Sequence, residues 1–269
     1  LPMPTPPPTV TPRLAATTLI FRDGDSGPEV LMVRRSMQAS FMPGAYVFPG
    51  GAVDAADGDA AHLAACDEPA DRLVQRIGAV TGVGDQAAAF AVAGLRECFE
   101  ECGLWLGAPD DHLPPAAWAP LRARLHGGAT LAALAGEIGL PLATRCLQPW
   151  SRWVTPAGLP KRFDTLFLVA RAPAGQVPEV DAGETTTLAW VQPAAALAAR
   201  SRGEFQMEFA TVATVQSLVP FTSVAALLDH AAGLTTLPAI HPRVTFNDDG
   251  KISGVLLPHQ PGYDSAWAG

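Results

Sequence analysis

RECFEECGL, residues 96–104, is the stretch of sequence that decides the fold of this chain. It closes a predicted helix from about Gln86 to Cys102, in which Asp85 is placed to cap the N-terminus and Gly103 to end the helix. The apolar residues of this segment recur at spacings of three and four, as expected of a helix face that packs on a sheet. They are Ala88, Ala91, Val92, Leu95, Cys98, Phe99 and Cys102.

The opposite face carries Glu97, Glu100 and Glu101 within an arc of roughly 100°. Glu97 and Glu101 are like charges one turn apart, neither has a Lys or Arg three or four residues away, and a helix C-terminus disfavours anions. A solvated acidic surface does not explain the missing counter-charges. A hard cation such as Mg²⁺ does, because it binds carboxylate oxygens together with substrate phosphates. Glu100 can pair with Arg96 one turn earlier, which predicts a supporting role for Glu100.

These residues resemble the second half of the Nudix box, REUxEExGU, where U is an apolar residue and Cys98 is the loosest match. The first half of the box is a glycine followed, after five residues, by a glutamate. Here Gly51 is followed at that spacing by Asp57. Residues 58–95 separate the halves, a much longer spacer than the usual seven residues. The combination is similar to the Nudix hydrolase superfamily.

The resemblance implies a Nudix fold, an α/β/α sandwich around a mixed β-sheet, with Mg²⁺ or Mn²⁺ held at the box. It implies that Arg96 orients the glutamates. The implied metal ligands are all oxygen donors: Glu97 and Glu101 directly, Glu100 directly or through water, and the main-chain carbonyl of Gly50 or Gly51.

Most of the chain, residues 13–269, is interpreted as a single domain of class α/β. The preceding residues 1–12 are too rich in proline for a helix or central strand and predict an extended lead-in. Short apolar or β-branched runs predict the strands of a mixed sheet. They are RLAATTLIF (13–21), EVLMVRR (29–35), YVFPGGAV (46–53), WSRWVTP (150–156), RFDTLFLVARA (162–172) and TTTLAWVQP (185–193).

The remaining segments decorate this sheet. Residues from about 58 to 84 are interpreted as an insertion inside the box, with a short helix near Pro69–Ile77, and residues 108–145 favour loops and short helices. A helical extension begins at about residue 193. Its predicted helices are Pro193–Arg200, Glu204–Leu218 and Thr222–His230, and RVTFNDDGKISGVLL (243–257) predicts a hairpin that turns at Asp-Asp-Gly.

Composition excludes several classes of protein. A formal net charge of −8 argues against nucleic acid as a partner, and no apolar run approaches the roughly 18 residues that a membrane span needs. The four cysteines and six histidines lack zinc-ligand spacing, so the cysteines are interpreted as reduced, mostly buried thiols. We expect a cytoplasmic protein, with a homodimer as an open alternative.

A metal on clustered carboxylates predicts hydrolysis of a phosphoanhydride bond in a nucleoside diphosphate linked to another moiety. A general base is expected in the loop before residue 185, where Asp181 and Glu184 lie, and Glu184 is favoured because Nudix enzymes often take a catalytic Glu from that region. Arg34, Arg35 and Arg162 are candidates for contacts with substrate phosphates, as is Lys161.

The substrate has to be inferred from outside the box. Residues 30–51, VLMVRRSMQASFMPGAYVFPGG, and the long insertion are similar to the coenzyme A diphosphatase branch of the superfamily. Coenzyme A or its thioesters are therefore the leading candidates. ADP-ribose, dinucleoside polyphosphates and nucleotide sugars remain alternatives, as does a non-catalytic binding module of Nudix fold.

Overall fold

The computed structural model describes residues 10–38, 42–110, 112–180, 185–247 and 252–266. Its main sheet has the strand order β3-β2-β1-β6-β5, with β4 paired to β1 and β7 paired to β2. Only β1 and β6 run parallel among these pairs, so the predicted mixed sheet is confirmed. The strands are β1 Arg13–Gly24, β2 Gly27–Arg35, β3 Tyr46–Val47, β4 Gly50–Ala52, β5 Gln148–Val154, β6 Phe163–Arg171 and β7 Thr185–Val191.

Helices cover both faces of this sheet. On one face lie α1 Ala60–Ala65, α2 Ala70–Leu73, α3 Ala79–Thr81, α4 Ala87–Cys102, α5 Trp118–His126 and α6 Leu131–Ile138. On the other lie α7 Pro193–Ser201, α8 Phe209–Leu218 and α9 Val224–Ala232.

Alternation along β1 separates the two apolar cores. Ala16 and Ile20 face the core built around α4, whereas Leu19 and Phe21 face the core that α8 and α9 cover. Successive side chains of a strand point to opposite faces of the sheet, so one strand supplies both cores. The predicted α/β/α sandwich with extra C-terminal helices is confirmed.

The insertion is an ordered part of the fold. Its main helix runs through α2, a π-helical turn at Val74–Gly78 and α3, which is longer than predicted. Leu73 and Ile77 are buried in the core beside α4. Arg76 pairs with Glu68 and donates to the Thr144 carbonyl oxygen at 2.8 Å, which ties the insertion to the segment before β5.

Two details of the predicted helices are wrong. Asp85 does not cap α4, because it lies within a 3₁₀ turn at Gly84–Gln86, whereas Gly103 does end the helix with φ 70°. Glu204–Glu208 is not helical, because this segment runs beside β3, where the Tyr46 amide donates to the Gln206 carbonyl.

The C-terminal hairpin is confirmed in its strands. Antiparallel strands β8 Arg243–Phe246 and β9 Ile252–Leu256 pair as predicted. Residues 248–251, which carry the proposed turn, lie outside the described residues, as does most of the Pro-rich lead-in. None of the helices in the described part of the chain is long and apolar enough to cross a membrane.

Close contact between α4 and the sheet requires a glycine. The Thr18 hydroxyl donates to the Gly94 carbonyl oxygen at 3.1 Å. A Cβ at Gly94 would lie 2.9 Å from Thr18 Oγ1 and 3.0 Å from Leu168 Cδ1. Gly94 therefore lets α4 approach the two central strands.

Gly94→Ala is expected to lower the free energy of unfolding by about 1–3 kcal/mol, because the added methyl group overpacks this contact. Gly136→Ala is the matched control, since nothing lies within 4 Å of a Cβ there, and it should be neutral or stabilise α6 by up to about 1 kcal/mol. Urea unfolding of both variants measures the difference. Equal effects of the two substitutions would contradict the close packing.

Candidate active site

The end of α4 meets β4 at the glycine pair of the box. The Gly50 amide donates to Glu101 Oε2 at 3.0 Å. A Cβ at Gly51 would overlap the carboxylate of Glu97, and one at Gly50 would lie 2.5 Å from the Ala16 carbonyl oxygen. Both glycines are therefore needed for the backbone to pass between β1 and the two carboxylates.

Arg96 joins the two halves of the box. Its Nε and Nη2 donate to the two oxygens of Asp57 at 2.9 and 3.0 Å, and Nη2 also donates to the Ala52 carbonyl oxygen at 2.9 Å. Its Nη1 donates to Glu97 Oε1 at 2.7 Å and to Glu100 Oε2 at 2.9 Å. Asp57 is 1% exposed. Although this position has an aspartate where the box has a glutamate, its carboxylate still binds the guanidinium. The spacer of residues 58–95 does not keep the halves apart.

The expectation that Glu97 has no protein counter-charge is wrong. Arg96 precedes Glu97 by one residue, and its long side chain folds back far enough to bind this neighbour as well as Glu100. The predicted Arg96–Glu100 pair is confirmed. Burial raises the pKa of Glu97 to about 7, against the opposing effect of Arg96. Burial alone would lower the pKa of Arg96, but its hydrogen bonds and charge contacts with Asp57 and Glu97 raise it well above the ordinary value.

The donor atoms at this site suit a hard cation. Glu97 and Glu101 both approach the Gly50–Gly51 backbone, and their carboxylates offer oxygen ligands there. In the described part of the chain, no three Asp, Glu, His or Cys side chains converge as a ready-made metal site. Mg²⁺ commonly takes one or two carboxylates and fills its remaining positions with water and substrate phosphates, so two glutamates and main-chain oxygen fit it.

A cleft of about 940 Å³ opens beside these carboxylates. Glu97, Glu100 and Glu101 line it together with Gly50 and Gly51. The rest of its wall mixes polar with apolar and aromatic residues, many of them from β1, β5, β6 and α8. The apolar and aromatic residues include Phe48, Trp153, Leu159, Phe163, Phe167 and Phe209.

Only some of the cationic residues predicted to bind phosphate line the cleft. Arg35 and Lys161 line the cleft, whereas Arg34 and Arg162 are not among its lining residues. Arg34 donates to the Gly44 carbonyl oxygen at 3.3 Å, with its guanidinium 5.8 Å from the Tyr46 ring centroid. Arg162 donates to two main-chain carbonyls, those of Thr155 and Val10. Asp181 and Glu184 lie outside the described residues.

Sequence reasoning missed three ionisable residues that line the cleft: Arg13, His126 and Glu208. Arg13 was detectable in principle, because it shares a strand face with Ala15 and Thr17 at alternate positions of β1. His126 and Glu208 were not, because they reach the cleft from α5 and from the residue before α8, whose placement depends on tertiary packing.

A family model described as the NUDT19 Nudix domain matches residues 13–212. The chain belongs to this Nudix family. The predicted Nudix hydrolase is thereby confirmed at the level of the family. The solved structure of a Nudix hydrolase from Alicyclobacillus acidocaldarius superposes with a TM-score of 0.66 at 28% identity and covers 81% of this chain and 96% of that one. This similarity confirms the Nudix fold.

The chain is also similar to vertebrate proteins that carry the name acyl-coenzyme A diphosphatase NUDT19. The chicken protein is 29% identical over 177 residues, which cover 52% of this chain and 47% of the relative. The human protein is 27% identical over 275 residues, covering 86% of this chain and 71% of the relative. The chain thus spans about half the length of the chicken protein in this match.

Asp57→Asn is expected to lower the free energy of unfolding by at least about 2 kcal/mol, because it leaves the largely buried Arg96 without its bidentate carboxylate. Asp54→Asn is the matched control. Asp54 is 3.8 Å from Arg96 and its side chain is 65% exposed, so a change below about 1 kcal/mol is expected. Chemical denaturation measures both, and a tolerant Asp57→Asn variant would show that this ion pair does not hold the box together.

Proposed function

We propose that this chain is a diphosphatase that uses Mg²⁺ or Mn²⁺ to hydrolyse the phosphoanhydride of coenzyme A or its thioesters. One observation supports this most strongly. The carboxylates of Glu97 and Glu101 lie beside the Gly50–Gly51 backbone on the wall of a large cleft, whose remaining lining combines cationic side chains with apolar and aromatic ones. Such a cleft can accept a diphosphate at the carboxylates and an uncharged arm against its apolar residues.

Glu97 and Glu101 would hold the cation directly, with Glu100 bound directly or through water and the carbonyl of Gly50 or Gly51 as a further ligand. When bound, the cation would lower the pKa of water and neutralise charge on the bridging oxygen. Arg96 binds two of the three glutamates and orients them toward the cleft. Glu184 stays our prediction for the general base.

Three cations lining the cleft, Arg13, Arg35 and Lys161, would meet the phosphates of the substrate. Arg13 begins β1 and pairs with Phe163 on β6. Lys161 lies two residues before Phe163. Coenzyme A carries a phosphate on its ribose in addition to the diphosphate. Arg13 and Lys161 are suited to bind that second group.

A panel of coenzyme A, an acyl-coenzyme A, ADP-ribose and diadenosine polyphosphates, assayed with Mg²⁺ and with Mn²⁺, tests the proposal. We expect the coenzyme A compounds to give the highest kcat/KM and EDTA to abolish turnover. A higher kcat/KM for ADP-ribose or a dinucleoside polyphosphate would show that this compound, and not coenzyme A, is the substrate. Binding in thermal-shift assays without any turnover would identify a non-catalytic module.

A cytoplasmic location and a homodimer remain predictions. Size-exclusion chromatography with light scattering measures the oligomeric state.

Glu101→Gln is expected to lower kcat by about 100-fold or more, because the metal loses a charged ligand, while the melting temperature stays near that of the wild type. Glu137→Gln supplies the matched control. Its side chain is 51% exposed on α6 and pairs only with surface Arg124 among the described residues. Steady-state kinetics with saturating Mg²⁺ measures both variants. Turnover at the wild-type rate in Glu101→Gln would overturn the metal assignment.

The double variant Arg13→Gln/Lys161→Gln is expected to raise KM for coenzyme A by about 10-fold, the cost of losing charge-assisted contacts to one phosphate. KM for 3′-dephospho-coenzyme A should change by less than about 2-fold. Arg200→Gln, at an exposed position of α7, controls for the loss of a surface cation. An equal change for both substrates would refute the assignment of Arg13 and Lys161 to the ribose phosphate.

A further inference from the structure

Arg122 is a buried cation whose hydrogen bonds all go to the main chain. It lies on α5 and is 8% exposed. Its Nε and Nη2 donate to the Glu100 carbonyl oxygen at 2.8 and 2.6 Å. Its Nη1 donates to the carbonyl oxygens of Glu179 and Val180 at 3.0 and 3.2 Å. No ion pair with a carboxylate occurs at Arg122 in the part of the chain that the structure describes.

The Glu100 carbonyl belongs to the last turn of α4, where carbonyls have no partner within the helix. Two other carbonyls of that turn also have partners. Phe99 accepts from the amide of the C-cap residue Gly103 at 3.0 Å, and Cys102 accepts from the Glu179 amide at 2.9 Å. Arg122 thus fixes the helix end that carries the glutamates and joins it to residues 179–180.

Burying a guanidinium is costly unless its charge is compensated. Here the compensation comes from the C-terminal end of α4, where the exposed carbonyls carry a partial negative charge. The same partial negative charge repels the carboxylates of Glu100 and Glu101 on that turn, and the positive charge of Arg122 offsets this repulsion. Arg122 therefore both fixes the position of this turn and stabilises its negative charges.

We propose that Arg122 is a positioning residue for metal binding, which acts by holding the last turn of α4 so that Glu97 and Glu101 face the Gly50–Gly51 backbone. This inference rests on the proposed function. Lysine cannot replace the contact, because a guanidinium donates from three nitrogens in a fixed plane whereas an ammonium donates from one point. Charge alone would then be insufficient at this position.

The test compares Arg122→Lys and Arg122→Met with Arg124→Met, a change on the same helix at a residue that is 51% exposed. Mn²⁺ affinity is measured by electron paramagnetic resonance titration, without substrate, and kcat and KM are measured with coenzyme A. Both Arg122 variants should bind Mn²⁺ about 10-fold more weakly and lose about 10-fold in kcat, with KM within about 2-fold of the wild type. Arg124→Met should match the wild type in all three quantities.

A purely structural role would lower the melting temperature of the Arg122 variants but leave the Mn²⁺ affinity of the folded protein unchanged, and that result would overturn the proposal. Wild-type Mn²⁺ affinity in Arg122→Lys, or failure of both variants to fold, would overturn it as well. If the wild type binds Mn²⁺ but turns over no compound of the panel, the proposed function fails while the titration still decides the role of Arg122.

Discussion

The candidate site depends on the guanidinium of Arg96. It binds both oxygens of Asp57 and the Ala52 carbonyl on one side, and Glu97 and Glu100 on the other. Because these contacts join residues far apart in the sequence, the loop after β4 and the end of α4 cannot move independently. Only Nη1 binds Glu97 and Glu100, whereas Nε and Nη2 bind Asp57 and Ala52. The contacts with Asp57 and Ala52 therefore do not depend on what else the two glutamates bind.

The insertion between Asp57 and α4 shows how a motif can be divided without losing its geometry. Its helices bury Leu73 and Ile77 beside α4, so the added residues form part of the core instead of an exposed loop. Closing a longer loop costs little conformational entropy per added residue, whereas this burial is favourable. The Asp57–Arg96 ion pair then sets the relative position of the two halves. Spacing along the sequence therefore matters less here than the partners at either end.

Much of the fold could be predicted from periodicity, because the strands alternate and α4 carries an apolar face at helical spacing. The glutamates of the site were predictable for the same reason, since a helix places Glu97, Glu100 and Glu101 on one face. Local rules failed where tertiary contacts decide: Arg96 folds back to an adjacent residue, and Glu204–Glu208 is drawn out beside β3. His126 and Arg122 reach the site from α5, a position that only the packed fold defines.

Metal binding by Glu97 and Glu101 is tested most directly by anomalous diffraction from crystals soaked in Mn²⁺. We expect a single dominant region of anomalous density within about 2.0–2.6 Å of carboxylate oxygens of both Glu97 and Glu101, beside the Gly50–Gly51 backbone. This density should disappear in crystals of Glu101→Gln. Density at other acidic residues only, or density at this site that persists unchanged in the variant, would show that these two glutamates do not hold the metal.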